Sequence, residues 1–370
     1  MVKNIYFLYL FLLNALINLV NYVPRVLIED RFNGSIISIM IALPIGVLLL
    51  YLFCKMIAKF PQQGLPEIMS KALPGWISRP LLFVMGCIWY LSSVLTLVGF
   101  VDITVRYISP DVSPYVVLVG FLVVIGLCAR LDSESILYAL EIVLYMTVPL
   151  IVYMVWRVFS SPHFEWDAVM QIITYVWQMP RYETIAGATF IFSGYVNMVI
   201  FNRVFKKVKI RHLWLFCIIG FFTLIISMFA PIGFLGADGA GEHVYPAFST
   251  IDSLRIRYFI VERMIYVFYV VYMSLSLMNT IIHWHVSKEL LLGSFHKKAV
   301  SSSAHLSQQK RKLEWWILGV FSALVYACAW LLDQFTLNQM AQMFLNLRFV
   351  GEIVLLGLMF YFVLQRRWRI

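Results

Sequence analysis

Charged residues are scarce in this chain of 370 residues, since Asp, Glu, Lys and Arg together make up 13% of it. Hydrophobic residues reach 62%, and the mean hydropathy is +0.84. A soluble domain is about one quarter charged and about half apolar. A water-soluble fold would leave much of this apolar surface uncovered, so the composition excludes a soluble globular protein and indicates a chain embedded in a bilayer.

Cysteine is also sparse, and the motifs of common enzyme sites are missing. The five cysteines stand singly, without a CxxC pair, which argues against a disulfide framework or a cysteine metal site. The sequence contains no Gly-rich phosphate loop, no nucleophile elbow and no HExxH motif. His283 and His285 are two residues apart, a spacing that places side chains on different faces of a helix. We therefore expect no catalytic activity, no metal and no cofactor.

Long hydrophobic stretches are what the sequence does contain. Each approaches the roughly 20 apolar residues that a helix needs to cross a bilayer. They predict an all-α integral membrane protein with about ten transmembrane helices, at residues 5–23, 35–58, 81–105, 114–129, 136–159, 184–202, 213–235, 258–286, 314–332 and 343–365. No small-residue cleavage site follows the first stretch, so we interpret it as a retained helix and not as a signal peptide.

The basic residues alternate from loop to loop. Most of the 29 Lys and Arg residues lie in segments on the same side as the N-terminus, for example at 203–211 and 288–312. Because cytoplasmic loops carry the excess of Lys and Arg, this bias predicts that both termini are cytoplasmic. The charges are spread over separate loops, which argues against a nucleic-acid-binding face.

The predicted helices divide into two equal sets, five before residue 180 and five after it. Two halves with an odd number of helices each have opposite orientations in the membrane. The count therefore predicts a single polytopic domain built as a 5+5 inverted repeat, with residues 1–180 and 181–370 as the two repeats. In such transporter-type bundles the ligand lies near the bilayer midplane, where the first helix of each half is broken.

Both of these first helices contain residues suited to a break. In the first, Asn residues precede Pro24, and an intramembrane Asn is costly unless it faces the protein interior. In the sixth, Ser193-Gly194 lies in the middle of the span, and unwinding there would free backbone groups for a polar ligand. The alternative is packing, because small residues and Asn also join helices. The candidate ligand-binding residues of the two helices are Asn18, Asn21, Tyr22, Phe192, Ser193, Gly194, Tyr195 and Asn197.

Further candidates come from other helices. Ser92, Ser93 and Thr96 in the third helix are either cavity-lining residues or hydroxyls bonded to their own helix. Tyr269 in the eighth helix is either a ligand contact or a packing residue. Glu141 in the fifth helix is a candidate for proton coupling or for pairing with a cation. The segment 288–312 predicts a mobile connection that either sets only the topology or also docks a partner.

Short motifs in a fixed order resemble one family along nearly the whole chain. They are Pro24-Arg25 at the end of the first helix, Phe60-Pro61 followed by Glu67 and Gly75, Glu134 with Glu141, and Tyr245-Pro246 followed by Glu262-Arg263. Their order and spacing are similar to those of the B subunit of bacterial spore germination receptors, a branch of the amino acid–polyamine–organocation transporter superfamily. The chain departs from that family at Asn18, Asn21, Asp132, Tyr138 and Asn197, the last standing where Glu is frequent.

The resemblance implies a multi-pass protein of the spore inner membrane that binds a small nutrient, often an amino acid. It also implies partners, namely a receptor A subunit, a C lipoprotein subunit and membrane lipid. The protein would sense the nutrient and signal to those subunits to trigger germination. Two other functions stay open at this point: transport of amino acids or polyamines, and a structural subunit whose pocket is unused.

Overall fold

The structure of the protein, a computed structural model, describes residues 1–210, 212–254, 263–295 and 304–367. Within those ranges the chain is built from α-helices with short 3₁₀ and π segments, and it contains no β-strand. A single β-bridge in the same ranges joins Val2 to Phe205. The prediction of an all-α protein is confirmed.

Eight helices in the described ranges are long and apolar enough to cross a membrane, so the chain is a multi-pass membrane protein. A bent pair of shorter helices adds a ninth span if the two are counted as one. The predicted stretch 114–129 is a shorter apolar helix of 15 residues. The count of ten and the inverted repeat stay predictions. The eight helices cover Ser35–Ile57, Gly75–Ile108, Ser133–Phe159, Tyr182–Val204, Leu213–Leu235, Met264–Phe295, Arg311–Leu331 and Gln334–Gln365.

The helices are labelled in chain order. Helices α4, α8 and α12 are short, lie outside the predicted spans and each bury one apolar side against the bundle. A π segment, Thr104–Ile108, extends α5, and a 3₁₀ segment, Phe190–Asn197, joins α9 to α10. The labels are α1 (Ile5–Asn18), α2 (Tyr22–Glu29), α3 (Ser35–Ile57), α4 (Leu65–Ala72), α5 (Gly75–Ile103), α6 (Pro114–Cys128), α7 (Ser133–Phe159), α8 (Trp166–Ile173), α9 (Tyr182–Thr189), α10 (Met198–Phe201), α11 (Leu213–Leu235), α12 (Pro246–Ser253), α13 (Met264–Phe295), α14 (Ala304–Leu331) and α15 (Gln334–Arg367).

Helix α13 differs most from its predicted span, 258–286. It continues to Phe295, and α14 begins at Ala304, so the prediction of a mobile connection over 288–312 is wrong at both of its ends. Residues 296–303, the middle of that segment, lie outside the described residues. Lys288 is buried, and its Nζ donates to the Ala129 carbonyl over 3.2 Å. Helix α13 can therefore include the charged Lys288 in its buried part, because Ala129, distant in the sequence, provides a hydrogen-bond acceptor for it.

Helices α5 and α13 form the centre of the bundle and pack along most of their length. Small residues permit the contact, since Ser287 Oγ donates to the Gly86 carbonyl over 2.7 Å. The 3₁₀ segment packs against α1 and α3 in the interior, where the sixth span is the most buried of the eight. The bundle therefore places a non-α segment at its core.

One end of the bundle is here called the basic end. Arg203 donates to Glu67 through two bonds of 2.7 and 3.2 Å and to Glu289 through one of 2.7 Å. The Val2 N–H donates to the Val204 carbonyl over 3.1 Å. These contacts tie α4, the end of the sixth span and α13 together. The basic end comprises residues 1–4, helix α4 and residues 202–210.

The other end is here called the opposite end. Asp30 is buried and accepts hydrogen bonds from Arg181, at 2.9 Å, and from Thr184 Oγ1. This carboxylate joins the end of α2 to the start of α9, so the first and sixth spans are linked here. The opposite end comprises residues 30–34, 160–181 and 236–254.

Candidate functional site

The first span bends by 54° between α1 and α2. Asn21 is the N-cap of α2, and its side chain accepts a hydrogen bond from the Tyr272 hydroxyl. Pro24 does not end the first helix but lies in the first turn of α2. A proline is tolerated there because the first N–H groups of a helix have no helical acceptor. The first span is thus broken just before the proline.

The sixth span ends with a short 3₁₀ segment, Asn202–Val204, and the longer 3₁₀ segment from Phe190 to Asn197 lies between the α-helices α9 and α10. Ser193-Gly194 lies in the middle of this segment, so the backbone at the predicted break is more tightly wound and not open. Gly194 is required for packing, because a Cβ there would lie 2.6 Å from both the Leu10 carbonyl oxygen and the Phe11 Cα. Any larger residue at this position would push α1 away.

Asn14 of α1 stabilises the 3₁₀ segment. Its Nδ2 donates to the carbonyls of Phe190, at 2.6 Å, and Ile191, at 3.1 Å. Asn18, one turn further along, donates to the Asn14 carbonyl over 2.8 Å. Both Asn side chains are buried. Together they connect the end of α1 to the second break through hydrogen bonds.

Helix α15 contains an ion pair, between Arg348 and Glu352, that was not among the candidate site residues predicted from the sequence. The Arg348 Nη1 donates to Glu352 Oε1 over 3.0 Å and to Ser193 Oγ over 2.6 Å. Its Nη2 donates to the Ala186 carbonyl and, over 3.2 Å, to Thr189 Oγ1. The guanidinium therefore holds α9 and the 3₁₀ segment against α15.

Both members of this ion pair are about 5% exposed. A buried charge in a membrane is costly unless it is paired. The sequence did contain a signal for the pair, namely opposite charges four residues apart in an otherwise apolar stretch. It did not show that the pair contacts Ser193, because that contact is made between distant parts of the chain.

A cavity of about 230 Å³ lies between the 3₁₀ segment and helices α5, α13 and α15. Its wall is mostly apolar. Three predicted site residues line it, Ser92, Ser193 and Asn197. Other polar residues that line it are Asn14, Trp89, His283, Arg348 and Glu352.

Arg348 Nε has no hydrogen-bond partner among the described residues, and three uncharged polar atoms on this wall also have none. Trp89 Nε1 donates to Asn197 Oδ1 over 2.9 Å, which leaves the Asn197 amide nitrogen as a donor. His283 Nδ1 lies 2.7 Å from the Asn279 carbonyl, which can only accept, so Nε2 of the neutral ring is an acceptor. The third atom is the Ser92 hydroxyl. The wall thus offers a donor, an acceptor and a hydroxyl to a ligand.

Several predicted residues of the sixth span lie behind the cavity wall. The Phe192 ring occupies the space that Gly46 of α3 and Gly220 of α11 leave free. Tyr195 is also buried, and its hydroxyl donates to Glu352 over 3.3 Å. Phe192 therefore has a packing position, while Tyr195 contacts the ion pair and does not line the cavity.

The remaining predicted residues of α5 bond to their own helix. Ser93 Oγ donates to the Tyr90 carbonyl over 2.5 Å, and Thr96 Oγ1 donates to the Ser92 carbonyl over 3.0 Å. Thr96 also accepts a hydrogen bond of 3.4 Å from Asn279. Neither hydroxyl lines the cavity.

Asn21, Tyr22 and Tyr269 belong to a second polar cluster, nearer the opposite end. The Tyr22 hydroxyl donates to the Leu95 carbonyl over 3.0 Å. The Tyr269 hydroxyl lies 3.1 Å from Thr104 Oγ1. The predicted residues are therefore divided between the cavity and this cluster.

The second cluster ends at Tyr245, outside the membrane-spanning helices. The Tyr245 hydroxyl donates to Asp102 over 2.8 Å. Burial, followed by the neighbouring Tyr22 and Asp102, raises the pKa of the Tyr245 phenol well above its usual range. Tyr245 is therefore a neutral hydrogen-bond donor at physiological pH.

Glu141 lies away from the cavity, between α1 and α7. It accepts hydrogen bonds from the hydroxyls of Tyr6, at 2.5 Å, and Tyr9, at 3.5 Å. His285, unlike His283, points away from the cavity, and its Nε2 lies 2.9 Å from Ser133 Oγ. The two histidines face different parts of the bundle.

Fold and cavity together define a class of protein: a helical multi-pass membrane protein whose cavity lies beside the 3₁₀ segment of its sixth span. The family model described as spore germination protein, the spore permease model, matches residues 9–303. The match covers most of the chain, and the chain belongs to this spore germination family. No curated protein matches it significantly. The resemblance in the short motifs is thereby confirmed.

Proposed function

We propose that this protein is the nutrient-binding membrane subunit of a spore germination receptor in the spore inner membrane. The observation that supports this most is the cavity beside the 3₁₀ segment. A small molecule in it contacts α5, α13, α15 and the 3₁₀ segment at once. Such a molecule alters the packing of four elements through one binding event, as a sensor requires.

Binding acts by favouring one of two packed arrangements of the bundle. The shift is no larger than the difference in the ligand's affinity for the two arrangements. Two elements run from the cavity to the basic end, α13 from His283 to Glu289 and the sixth span from Asn197 to Arg203. Arg203 and Glu289 form an ion pair of 2.7 Å. A change at the cavity wall therefore reaches the basic end through both elements.

The experiment that tests this function compares spores that carry variants of the gene. Ser92→Leu fills the cavity, while Ser274→Leu changes a serine of α13 that bonds to its own helix and does not line the cavity. We expect spores that lack the gene, and spores with Ser92→Leu, to lose the response to the same nutrient, with amino acids and uncharged nutrients screened side by side. Spores with Ser274→Leu should respond normally.

Two outcomes would contradict the sensor function. One is a full nutrient response in spores that lack the gene. The other is a steady flux of the nutrient through the purified protein in liposomes without other subunits, which would support a transporter. Membrane levels of each variant are measured in parallel, so that a loss of response is not confused with a loss of protein.

The proposed topology places the basic end in the cytoplasm with both termini. Lys206 at the basic end and Glu242 at the opposite end are both exposed. In a background without cysteines, we expect Glu242→Cys to react with a charged maleimide added from outside. Lys206→Cys should react only from the cytoplasmic side. The reverse pattern would invert the topology.

The basic end, together with the start of the span Arg311–Leu331, is also the proposed docking surface for the A subunit, and the C lipoprotein subunit completes the receptor. Lys206, Lys207, Arg311 and Lys312 are exposed, whereas Lys288 is buried and unavailable. An acidic surface on the partner would be complementary to this charge. Changing the four exposed residues to Gln should lower co-purification of the A subunit and its salt sensitivity. Unchanged recovery would leave these charges as topology determinants only.

A further inference from the structure

The cavity opens on the side of the bundle, between α5 and α15. Four apolar residues that line it are about half exposed at the surface: Val84 by 54%, Leu347 by 55%, Val350 by 50% and Val354 by 50%. All four belong to membrane-spanning helices. A surface of this kind faces hydrocarbon and not water. The opening therefore connects the cavity to the bilayer.

At each end of the bundle, a charged side chain joins different helices. At the basic end, Arg203 bridges Glu67 and Glu289. At the opposite end, the buried carboxylate of Asp30 binds Arg181 and Thr184. Among the described residues, none that lines the cavity belongs to either end, whereas four exposed residues on the side of the bundle do line it.

The chemistry of the wall restricts what enters. The charges of Arg348 and Glu352 neutralise each other over 3.0 Å, and the guanidinium also donates to Ser193, Ala186 and Thr189. Arg348 Nε has no partner among the described residues, but the guanidinium charge is already paired with Glu352. The uncharged groups left for a ligand are the Ser92 hydroxyl, the Asn197 amide nitrogen and Nε2 of His283. They provide both donors and an acceptor on a mostly apolar wall.

We propose that the cavity is loaded from the bilayer, between α5 and α15. It binds a small, neutral and largely apolar molecule whose single polar group hydrogen-bonds to Ser92, Asn197 and His283. An ion or zwitterion would have to cross the hydrocarbon-facing rim without compensation, which is costly. Calling this molecule the nutrient rests on the proposed function, but the route of entry does not.

The test uses Ser92→Cys in an otherwise cysteine-free protein, in membranes without other subunits. The probes are two maleimides, a neutral one carrying a cyclohexyl group and a charged one carrying a sulfonate. The charged probe is added to right-side-out and to inside-out vesicles, and the modified fraction is followed by mass spectrometry. We expect the neutral probe to react and the charged probe to remain unreactive from either side.

A plug at the rim completes the test. Val350→Trp, added to Ser92→Cys, should slow the neutral probe by about tenfold, because a filled opening leaves no path of molecular width. The matched control is Val320→Trp on α14, where the valine is also 50% exposed but does not line the cavity. The control should leave the rate unchanged, and the melting temperatures of the two Trp variants should agree.

Two results would overturn the proposal. Equal reactivity of the charged probe from one aqueous side would show an aqueous route. An unchanged neutral rate with Val350→Trp would show that the side opening is not the entrance. Neither measurement involves a nutrient or a spore, so each failure is distinct from a failure of the sensor function.

Discussion

The two broken spans differ in how their breaks are held. The first break, between α1 and α2, is a 54° bend fastened by uncharged groups: Tyr272 donates to Asn21, and Tyr22 donates to the Leu95 carbonyl. The second break stays nearly straight as a 3₁₀ segment, and it is fastened by a charged side chain, Arg348, and by the amide of Asn14. The two breaks are held by different chemistry.

The difference shows which break is better suited to move. Separating Arg348 from its partners leaves a charge unpaired in a membrane, whereas separating a phenol from an amide breaks one neutral hydrogen bond. The second break is therefore the fixed wall of the cavity, and the first break is the weaker joint. We expect that a rearrangement of the bundle begins at the bend between α1 and α2, because the other end of α2 is held to the start of α9 by Asp30 and Arg181. Substitutions at the two breaks test this order.

The largest effect is expected for Arg348→Leu. It leaves the Glu352 carboxylate buried without its cation, which should cost about 3–5 kcal/mol of stability. The measurement is the denaturation midpoint of the purified protein in detergent. Arg311→Leu, at an exposed position on α14, is the control and should change little.

The double variant Arg348→Leu with Glu352→Leu distinguishes two causes of instability: the unpaired charge of Glu352, and the lost contacts of Arg348 with α9 and the 3₁₀ segment. Replacing both charges by apolar groups is often near neutral for stability. We expect most of the stability to return, although the donors to the Ala186 carbonyl and Ser193 stay absent. A double variant as unstable as the single one would show that the contacts to the 3₁₀ segment, and not the charge, dominate.

Gly194→Leu is expected to come next. A side chain there meets the α1 backbone within 2.6 Å, and overpacking of this kind costs about 2–3 kcal/mol. The variant should also lose the nutrient response while remaining in the membrane. Gly357→Leu on α15 is the matched control, since a Cβ there meets nothing within 4 Å. A normal response with Gly194→Leu would place the ligand away from the 3₁₀ segment.

The sequence was sufficient for features that depend on local composition. The hydrophobic runs predicted the helices, because length and apolarity decide which segments a bilayer accepts. The Asn residues before Pro24 marked the bend in the first span, and the Ser193-Gly194 pair marked a 3₁₀ segment where we had predicted unwound backbone. Lys288 shows where this logic failed: a cluster of basic residues predicted a loop, but the Ala129 carbonyl satisfies that charge inside the bundle.

The candidate site was only partly predictable for a related reason. Ser92 and Asn197 have unused hydrogen-bonding groups in the cavity, whereas Ser93 and Thr96, with similar chemistry, bond to their own helix. The helical periodicity of the sequence could not distinguish cavity-lining hydroxyls from the others. Which helix each position of α5 faces is decided by the packing of the whole bundle. Arg348 and His283 were visible as polar residues in apolar stretches, but their neighbours come from helices distant in the sequence.

Asn14→Leu and Asn18→Leu compare two residues one turn apart. Asn14 donates to two carbonyls of the second break, so its loss should cost about 1–2 kcal/mol. The donor bonds of Asn18 run to Asn14, within α1, so its loss should cost about half as much. Denaturation midpoints of the two variants at equal detergent concentration give the comparison. Equal costs would mean that Asn14 does not hold the second break in particular.

The smallest effect on stability is expected for Tyr272→Phe, which removes the hydroxyl that donates to Asn21 at the first break. One neutral hydrogen bond contributes about 0.5–1 kcal/mol, so the denaturation midpoint should move little. Function should respond more than stability does, because loosening the weaker joint alters the balance between the two arrangements of the bundle. We expect spores with Tyr272→Phe to germinate at a shifted nutrient concentration. Tyr266→Phe is the control, since Tyr266 lies on the exposed side of the same helix. If Tyr272→Phe and Tyr266→Phe give the same nutrient dependence, the bend between α1 and α2 is not where the rearrangement begins. The different chemistry of the two breaks would then affect only the packing of the bundle and not its response to a nutrient.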